Sequence, residues 1–398
     1  MNGKYVRKPE YIRKPQATAG SAGILPAPGP QASCLRLLPV AVICISLLLG
    51  VSPLVQAQIS PETLLLKDYR PRPIHKIPVT EVPKARYPVI DMHTHSYART
   101  PDEVEEWVKT KDETGIAKTV VLTGATGERF DALVKMYGKY PDRFELWCGI
   151  DIRGFDQPGF GPAAAQELER CYRAGARGVG EISDKGSGIV RSAAPGVRMH
   201  PDDPRLDPVW EKCAELGMPV NLHVADPIWA YQTMDETNDG LMNGFKWRLD
   251  NKPDIVKFDG MIDILERTVK RHPKTVFVAC HLANLDYDLT RLGRLLDTLP
   301  NLYVDTSARF GEMASTPRAT TAFLVKYADR VAYGTDQGRA PRMYRRSFRI
   351  LETLDEHFYE IEGFNYHWNL SGFALPDPIL KKLYRDTALK IMKHSARH

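Results

Sequence analysis

Four short apolar runs in this chain end on a histidine or an aspartate. The first closes with Asp91-Met92-His93-Thr94-His95, and three later ones close with Asn221-Leu222-His223, Ala279-Cys280-His281 and Gly334-Thr335-Asp336. Alternate side chains of an extended strand share a face, so Asp91, His93 and His95 project to one side, and two imidazoles from one strand end can hold one metal ion. An HxH pair alone is a weak signal, because buried histidines satisfied by hydrogen bonds are common. Repetition of His or Asp at strand ends is a stronger one. Three imidazoles and a carboxylate suit zinc with an open position for water. Such an ion lowers the pKa of its water, and a neighbouring carboxylate or imidazole carries the proton away.

The elements that must position these residues are visible as a repeat. β-rich apolar runs at 89–95, 118–124, 144–151, 176–183, 219–224, 275–282, 302–307 and 331–336 predict eight strands. Amphipathic stretches between them predict helices, among them 101–114, opened by Thr100-Pro101, together with 162–174, 208–216 and 258–271. This alternation predicts an α/β fold with parallel strands: a TIM-like (β/α)8 barrel, with a doubly wound open sheet as the alternative. In a barrel the C-terminal strand ends form the face where active sites are built, which is where the His and Asp residues fall. No glycine-rich phosphate loop follows the first strand, which argues against nucleotide binding. The long connection 225–257 is expected to cover one end of the barrel, and residues after about Arg339 to form a C-terminal helical extension.

HxH on the first strand, His on the fifth, His on the sixth and Asp on the eighth resemble the amidohydrolase superfamily, from about Tyr87 to the C-terminus. More narrowly, Tyr303-Val304-Asp305-Thr306-Ser307-Ala308-Arg309 followed by Tyr333-Gly334-Thr335-Asp336 is similar to the amidohydrolase-related branch that includes aminocarboxymuconate-semialdehyde decarboxylase. The resemblance implies that His93, His95 and His223 bind a divalent metal. It implies that Asp336 binds the ion or takes a proton from its water, and that His281 polarises water or substrate. On the fourth strand Glu181 stands where related families place a carbamylated lysine or a bridging glutamate. It is read as a ligand bridging two ions or as a hydrogen-bonding residue beside one, so one or two ions are expected. Lys185 lies too far along to serve as a carbamylated lysine. Thr387 stands where this branch leads one to expect an asparagine.

Other strand-end residues, Asp151, Asp305 and Arg309, are candidates to line the pocket, with His200 and Trp229 in loops above it. Arg309 is read either as a fork for a substrate carboxylate or as half of an internal salt bridge. Arg342, Arg345, Arg346 and Arg349 fall at helical spacing and read as a solvated face. His75, His272, His357, His367, His394 and His398 carry no ligand spacing and read as surface or packing residues.

The chain has 398 residues, 43% of them hydrophobic, enough for one large domain with appendages. Residues 1–57 read as a signal peptide: a basic stretch precedes the apolar run 37–51, which is short for a spanning helix, and Val55-Gln56-Ala57 offers a cleavage site. Residues 58–86 form a proline-rich arm, and 87–398 the barrel domain with its extension. Six of the 54 basic residues and one of the 49 acidic ones precede Gln58, which leaves 48 of each. A domain of balanced charge carries no argument for nucleic acid or membrane partners, and a small-molecule substrate is expected. Export to the periplasm or medium follows from cleavage, and membrane anchoring from retention. The six cysteines lack paired spacing and read as buried thiols with at most one disulfide. The favoured function is a metal-dependent hydrolase of C–N or C–O bonds. A metal-dependent decarboxylase is the alternative, and an exported binding protein without catalysis the lesser one.

Overall fold

The structure, a computed structural model, describes residues 59–190 and 197–393. The expected signal segment, Cys34 and Cys44, and His394 and His398 lie outside the described residues. None of the described helices is long and apolar enough to cross a membrane.

Eight parallel strands alternate with helices. The strands are β1 (Val89–Thr94), β2 (Ile116–Leu122), β3 (Phe144–Trp147), β4 (Val179–Asp184), β5 (Val220–Val224), β6 (Phe277–Ala279), β7 (Leu302–Asp305) and β8 (Val331–Ala332). Their principal connecting helices are α1 (Pro101–Thr114), α2 (Gly127–Tyr137), α3 (Phe160–Ala174), α4 (Asp207–Glu215), α5 (Phe258–Arg271), α6 (Leu289–Thr298), α7 (Pro317–Tyr327) and α8 (Pro341–Glu352). Local chemistry sets these ends. Thr100 caps α1 by accepting from the Glu103 amide, Pro101 needs no amide partner in the first turn, and Gly115 ends the helix at φ 86°.

The strands form a sheet ordered β1-β2-β3 and a second ordered β4-β5-β6-β7-β8. One seam is bridged between Cys148 and Val179. At the other, the Met92 amide donates to the Tyr333 carbonyl at 2.9 Å. Most strands are buried on both faces, and alternation divides their residues between two layers. Ile90, Met92, Val120, Leu122, Trp147, Val278, Tyr303 and Ala332 pack with one another, while Val89, Val121, Phe277, Val304 and Val331 pack with the helices. Gly178 has no room for a side chain, since a Cβ there would lie 2.3 Å from the Trp147 ring. Gly178→Ala is therefore expected to destabilise the fold by about 1–3 kcal/mol, read as a lower denaturant midpoint, and an unchanged midpoint would contradict this packing.

Three expectations change. Several strands are shorter than the apolar runs: β6 ends at Ala279 and β8 at Ala332, and beyond them His281 and Asp336 stand at left-handed φ of 58° and 54°. The segment after Arg339 is also more than an appendage. α8 packs on α1, with Trp107 Nε1–H donating to Tyr344 Oη at 3.2 Å. Ala388, Ile391 and Met392 then join the inner apolar layer, and the Thr387 hydroxyl donates to the Ala328 carbonyl at 2.8 Å. Finally, the arginine stripe of α8 is solvated as expected at Arg342 and Arg345, which are exposed, but half-buried at Arg346 and Arg349, and all four have partners. Arg346 pairs with Glu360, Arg349 with Asp355 at 2.7 Å, Arg342 with Glu362 at 3.2 Å, and Arg345 donates to the Pro83 carbonyl of the arm. Asp355 also accepts from the Thr80 amide and hydroxyl, so acids after α8 bind both the stripe and the arm. Cys148, Cys171, Cys213 and Cys280 are buried free thiols.

Candidate metal centre

His93, at the end of β1, is fully buried, with Nδ1 3.0 Å from Asp305 Oδ2 and 3.1 Å from Ser307 Oγ. The Ser307 hydroxyl donates to Asp305 Oδ1, so toward the imidazoles it can only accept. His281 Nδ1 faces that oxygen at 2.8 Å and the Ser307 carbonyl at 2.9 Å. Both rings therefore carry a proton on Nδ1. His95 is held likewise, its Nδ1–H donating to the Leu122 carbonyl at 3.1 Å. Fixing one ring nitrogen as a donor leaves the other as the metal ligand.

The nitrogens left over converge. His93 Nε2, His95 Nε2 and the Asp336 carboxylate lie within 4.8 Å of one another, with His95 Nε2 3.1 Å and His93 Nε2 3.9 Å from Asp336 Oδ1. His93 Nε2 is buried and has no hydrogen-bond partner among the described residues. A buried polar nitrogen in that state is unfavourable unless a ligand claims it, and the donor set fits a divalent ion. A second grouping within 4.8 Å joins His93, Glu181, Cys280 and His281. The Glu181 carboxylate links the two, with Oε2 3.5 Å from His95 Nε2 and Oε1 against His223 Nδ1 and 3.6 Å from His281 Nε2. His223 is turned the other way. Its Nε2 faces Asp226 Oδ1 at 3.3 Å, and its Nδ1 faces the cluster.

Charge follows this geometry. Burial alone would lower the His93 imidazole, but the carboxylates of Asp305, Asp336 and Glu181 outweigh it and hold the ring at about 10. A divalent cation would satisfy the same field. Burial, reinforced by His223, pushes His281 down to about 4, so that ring is neutral. Burial raises the Asp305 carboxyl, yet His93 and Ser307 overcome it and keep it ionised, at about 2. Asp336 is likewise held below the usual carboxylate range, against burial, by His95, His93 and His281. The Tyr97 hydroxyl donates to Asp336 Oδ1 at 3.1 Å.

A cavity of about 430 Å³ opens beside the cluster, lined by His223, His281 and Asp336 together with Trp247, Phe364 and Tyr366. The long connection 225–257 supplies part of its wall through Asn243 and Trp247.

The residues expected to bind metal, His93, His95, His223, Asp336 and Glu181, thus lie together with His281. The other candidates are placed differently. Arg309 is 7% exposed and committed internally: Nη1 donates to the Ala308 carbonyl and to Glu312, Nη2 to Asn284 Oδ1 at 2.6 Å, and Nε lies 3.5 Å from Asp286. It lines the cavity with three of its N–H groups given to protein acceptors and with Nε buried. Asp305 is wholly buried behind His93 rather than lining the pocket. Asp151 pairs with the exposed Arg153, His200 with Asp184 at 2.6 Å, and Trp229 packs against Trp247 with tilted rings, centroids 4.8 Å apart.

Sequence reading missed the supporting roles of Ser307, Asp226 and Tyr97, and the place of Cys280. For Ser307 the signal was available, because Asp305-Thr306-Ser307 repeats the period of two seen at His93 and His95. Asp226 and Tyr97 sit in loops with no such register. If Asp305 fixes the His93 tautomer, Asp305→Asn should weaken metal affinity by roughly 10–100-fold with the fold intact by circular dichroism. Unchanged affinity in a metal titration would remove Asp305 from that role.

Comparison with known proteins adds the following. A family model described as amidohydrolase matches residues 81–393. No curated protein matches the chain. Among solved structures, 2,6-dihydroxybenzoate decarboxylase from Rhizobium is similar at 17% identity and a TM-score of 0.48, covering 77% of this chain and 99% of its own. A 5-carboxyvanillate decarboxylase from Novosphingobium aromaticivorans, complexed with manganese, matches at 15% identity and a TM-score of 0.48, covering 79% of this chain and 100% of its own. A 4-oxalomesaconate hydratase from Rhodopseudomonas palustris matches at 16% identity and a TM-score of 0.44, covering 77% and 96% respectively.

Proposed function

The chain belongs to the amidohydrolase family, and on that premise we propose that it is a metal-dependent hydrolase acting on a C–N or C–O bond of a small molecule. One observation carries this reading. His93 and His95 have each committed Nδ1 to a fixed acceptor, and their Nε2 atoms lie within 4.8 Å of the carboxylate of Asp336, which lines the cavity. We read the two sheets as one closed (β/α)8 barrel, supported by the hydrogen bond from Met92 to Tyr333 and the bridge at Cys148.

His93, His95, His223 and Asp336 would hold the ion, with Glu181 bridging to a second where two are bound. An imidazole-rich set with a carboxylate favours zinc. A divalent ion bound here acidifies a water molecule and polarises a carbonyl group. The chain's own residues do the rest. Asp336 is ionised, touches the cavity, and is restrained by the Tyr97 hydroxyl, so it can accept the proton of an attacking water. His281 has given its Nδ1–H to acceptors and presents a lone pair at Nε2, so it orients water by accepting from it. Asp305 and Ser307 hold both rings in place. The segment 1–57, outside the described residues, is proposed to direct export.

The test is a substrate screen on metal-loaded protein in ¹⁸O-labelled water. Incorporation of label into product supports hydrolysis. Release of carbon dioxide from an otherwise intact skeleton, without label, would overturn it in favour of decarboxylation.

A further inference from the structure

Two long cationic side chains line the cavity, Arg309 and Lys185, and Lys185 is much the more exposed of the two. Arg309 is buried and its nitrogens face Ala308, Glu312, Asn284 and Asp286, as described above. Lys185 differs. Its side chain is 39% exposed, and its single hydrogen bond among the described residues runs to Asp226 Oδ1 at 2.8 Å. An ammonium carries three N–H donors, so two remain for a ligand.

The backbone beneath Lys185 is held with unusual thoroughness. The adjacent carboxylate, Asp184, is wholly buried and accepts from the amides of Gly186 and Gly188 at 2.9 and 2.8 Å and from His200 Nδ1 at 2.6 Å. A buried carboxylate is unfavourable unless its oxygens are hydrogen-bonded, and these are, within one short loop. Gly186 sits at φ 106°, where a Cβ would come 2.4 Å from the Val256 carbonyl, and the Val256 amide donates back to Gly186. The Tyr231 hydroxyl donates to the Lys185 carbonyl at 3.4 Å. None of these contacts involves the lysine ammonium. They fix the backbone from which the side chain springs, and the bond to Asp226 sets the ammonium on the cavity wall, with Asp226 between it and His223.

We propose that Lys185 is the substrate anchor of this site and that it selects small molecules bearing a carboxylate at the end remote from the bond that is cleaved. Asp226 keeps one N–H of the ammonium and fixes its direction. The other two meet the incoming anion as charge-assisted hydrogen bonds, with the point-charge tolerance that distinguishes lysine from an arginine fork. This inference rests on the reading of the cavity as the substrate site of a hydrolase, and it is tested by binding rather than turnover.

The experiment titrates the full chain with benzoate, phthalate and glutarate against benzamide, phthalamide and glutaramide, following tryptophan fluorescence, to which Trp247 on the cavity wall contributes. The variants are Lys185→Met, Lys185→Gln and Lys185→Arg. Wild type should bind at least one carboxylate about tenfold or more tighter than its amide, as charge-assisted bonds predict. Lys185→Met and Lys185→Gln should bring the carboxylate down to the affinity of the amide and leave the amide unchanged, while Lys185→Arg keeps most of the preference. The inference is overturned if wild type shows no preference or if the preference survives Lys185→Met. It is also overturned if both ligand classes weaken together with loss of metal, since that marks a lysine acting only through Asp226 and His223. Failure of the hydrolase reading would show instead in the ¹⁸O experiment, with the carboxylate preference intact.

Discussion

His93→Ala is expected to strip the protein of most of its metal and to lower kcat/KM by about three orders of magnitude or more, because a metal supplies several kcal/mol of transition-state stabilisation and each 1.36 kcal/mol is tenfold in rate. His93 is singled out because it belongs to both donor groupings and because its Nε2 is buried without a protein partner. Its removal also leaves the Asp305 carboxylate buried without its imidazole. Metal content by atomic emission and activity after reloading with zinc are the measurements. His367→Ala, a histidine outside the cluster, is the control and should retain both. Wild-type metal content and activity in His93→Ala would sink the assignment of the whole centre, because none of the remaining donors is as deeply committed to it.

Asp336→Asn should lower kcat by roughly 10²–10⁴-fold, the range for removal of a general base. The substitution keeps shape and one acceptor oxygen but ends the capacity to take a proton. If Asp336 acts chiefly as the base, metal content stays near that of wild type and KM changes little; if it is chiefly a ligand, metal is lost along with activity. Full activity in Asp336→Asn would exclude both roles. The geometry that makes the base role attractive is its access. Asp336 lines the cavity, whereas His93 and Asp305 are closed off from it.

Much of the centre was legible because its residues obey a local rule. Eight runs in a βα repeat had to bring their ends, and the His and Asp residues there, to one side of the parallel strands. Alternation alone did not carry Asp91 into the cluster, because the β1 register shifts between Asp91 and Thr94 and Asp91 accepts from Thr335 instead. What the rule could not reach was anything outside the ladder. The apolar runs overstated several strands, since Cys280–His281 and Gly334–Asp336 look extended in sequence yet lie beyond the ends of β6 and β8, with His281 and Asp336 left-handed. Arg309 shows the same limit. Its sequence neighbourhood contains Glu312, but Asn284, which accepts from it, and Asp286, which faces its charge, come from the loop after β6.

The sequence by itself determined the donor types and their spacing along each strand, the βα alternation, and the separation of a basic leader from a charge-balanced domain. These depend on periodicity and composition, which act within a few residues. The tertiary structure decided which nitrogen of each imidazole is free. That choice depends on acceptors brought from elsewhere in the chain: Asp305 and Ser307 behind His93, the Leu122 carbonyl behind His95, and Asp226 beneath His223. It also decided which cation on the cavity wall stays accessible, because folding buries Arg309 among acceptors from other loops and leaves Lys185 half-buried.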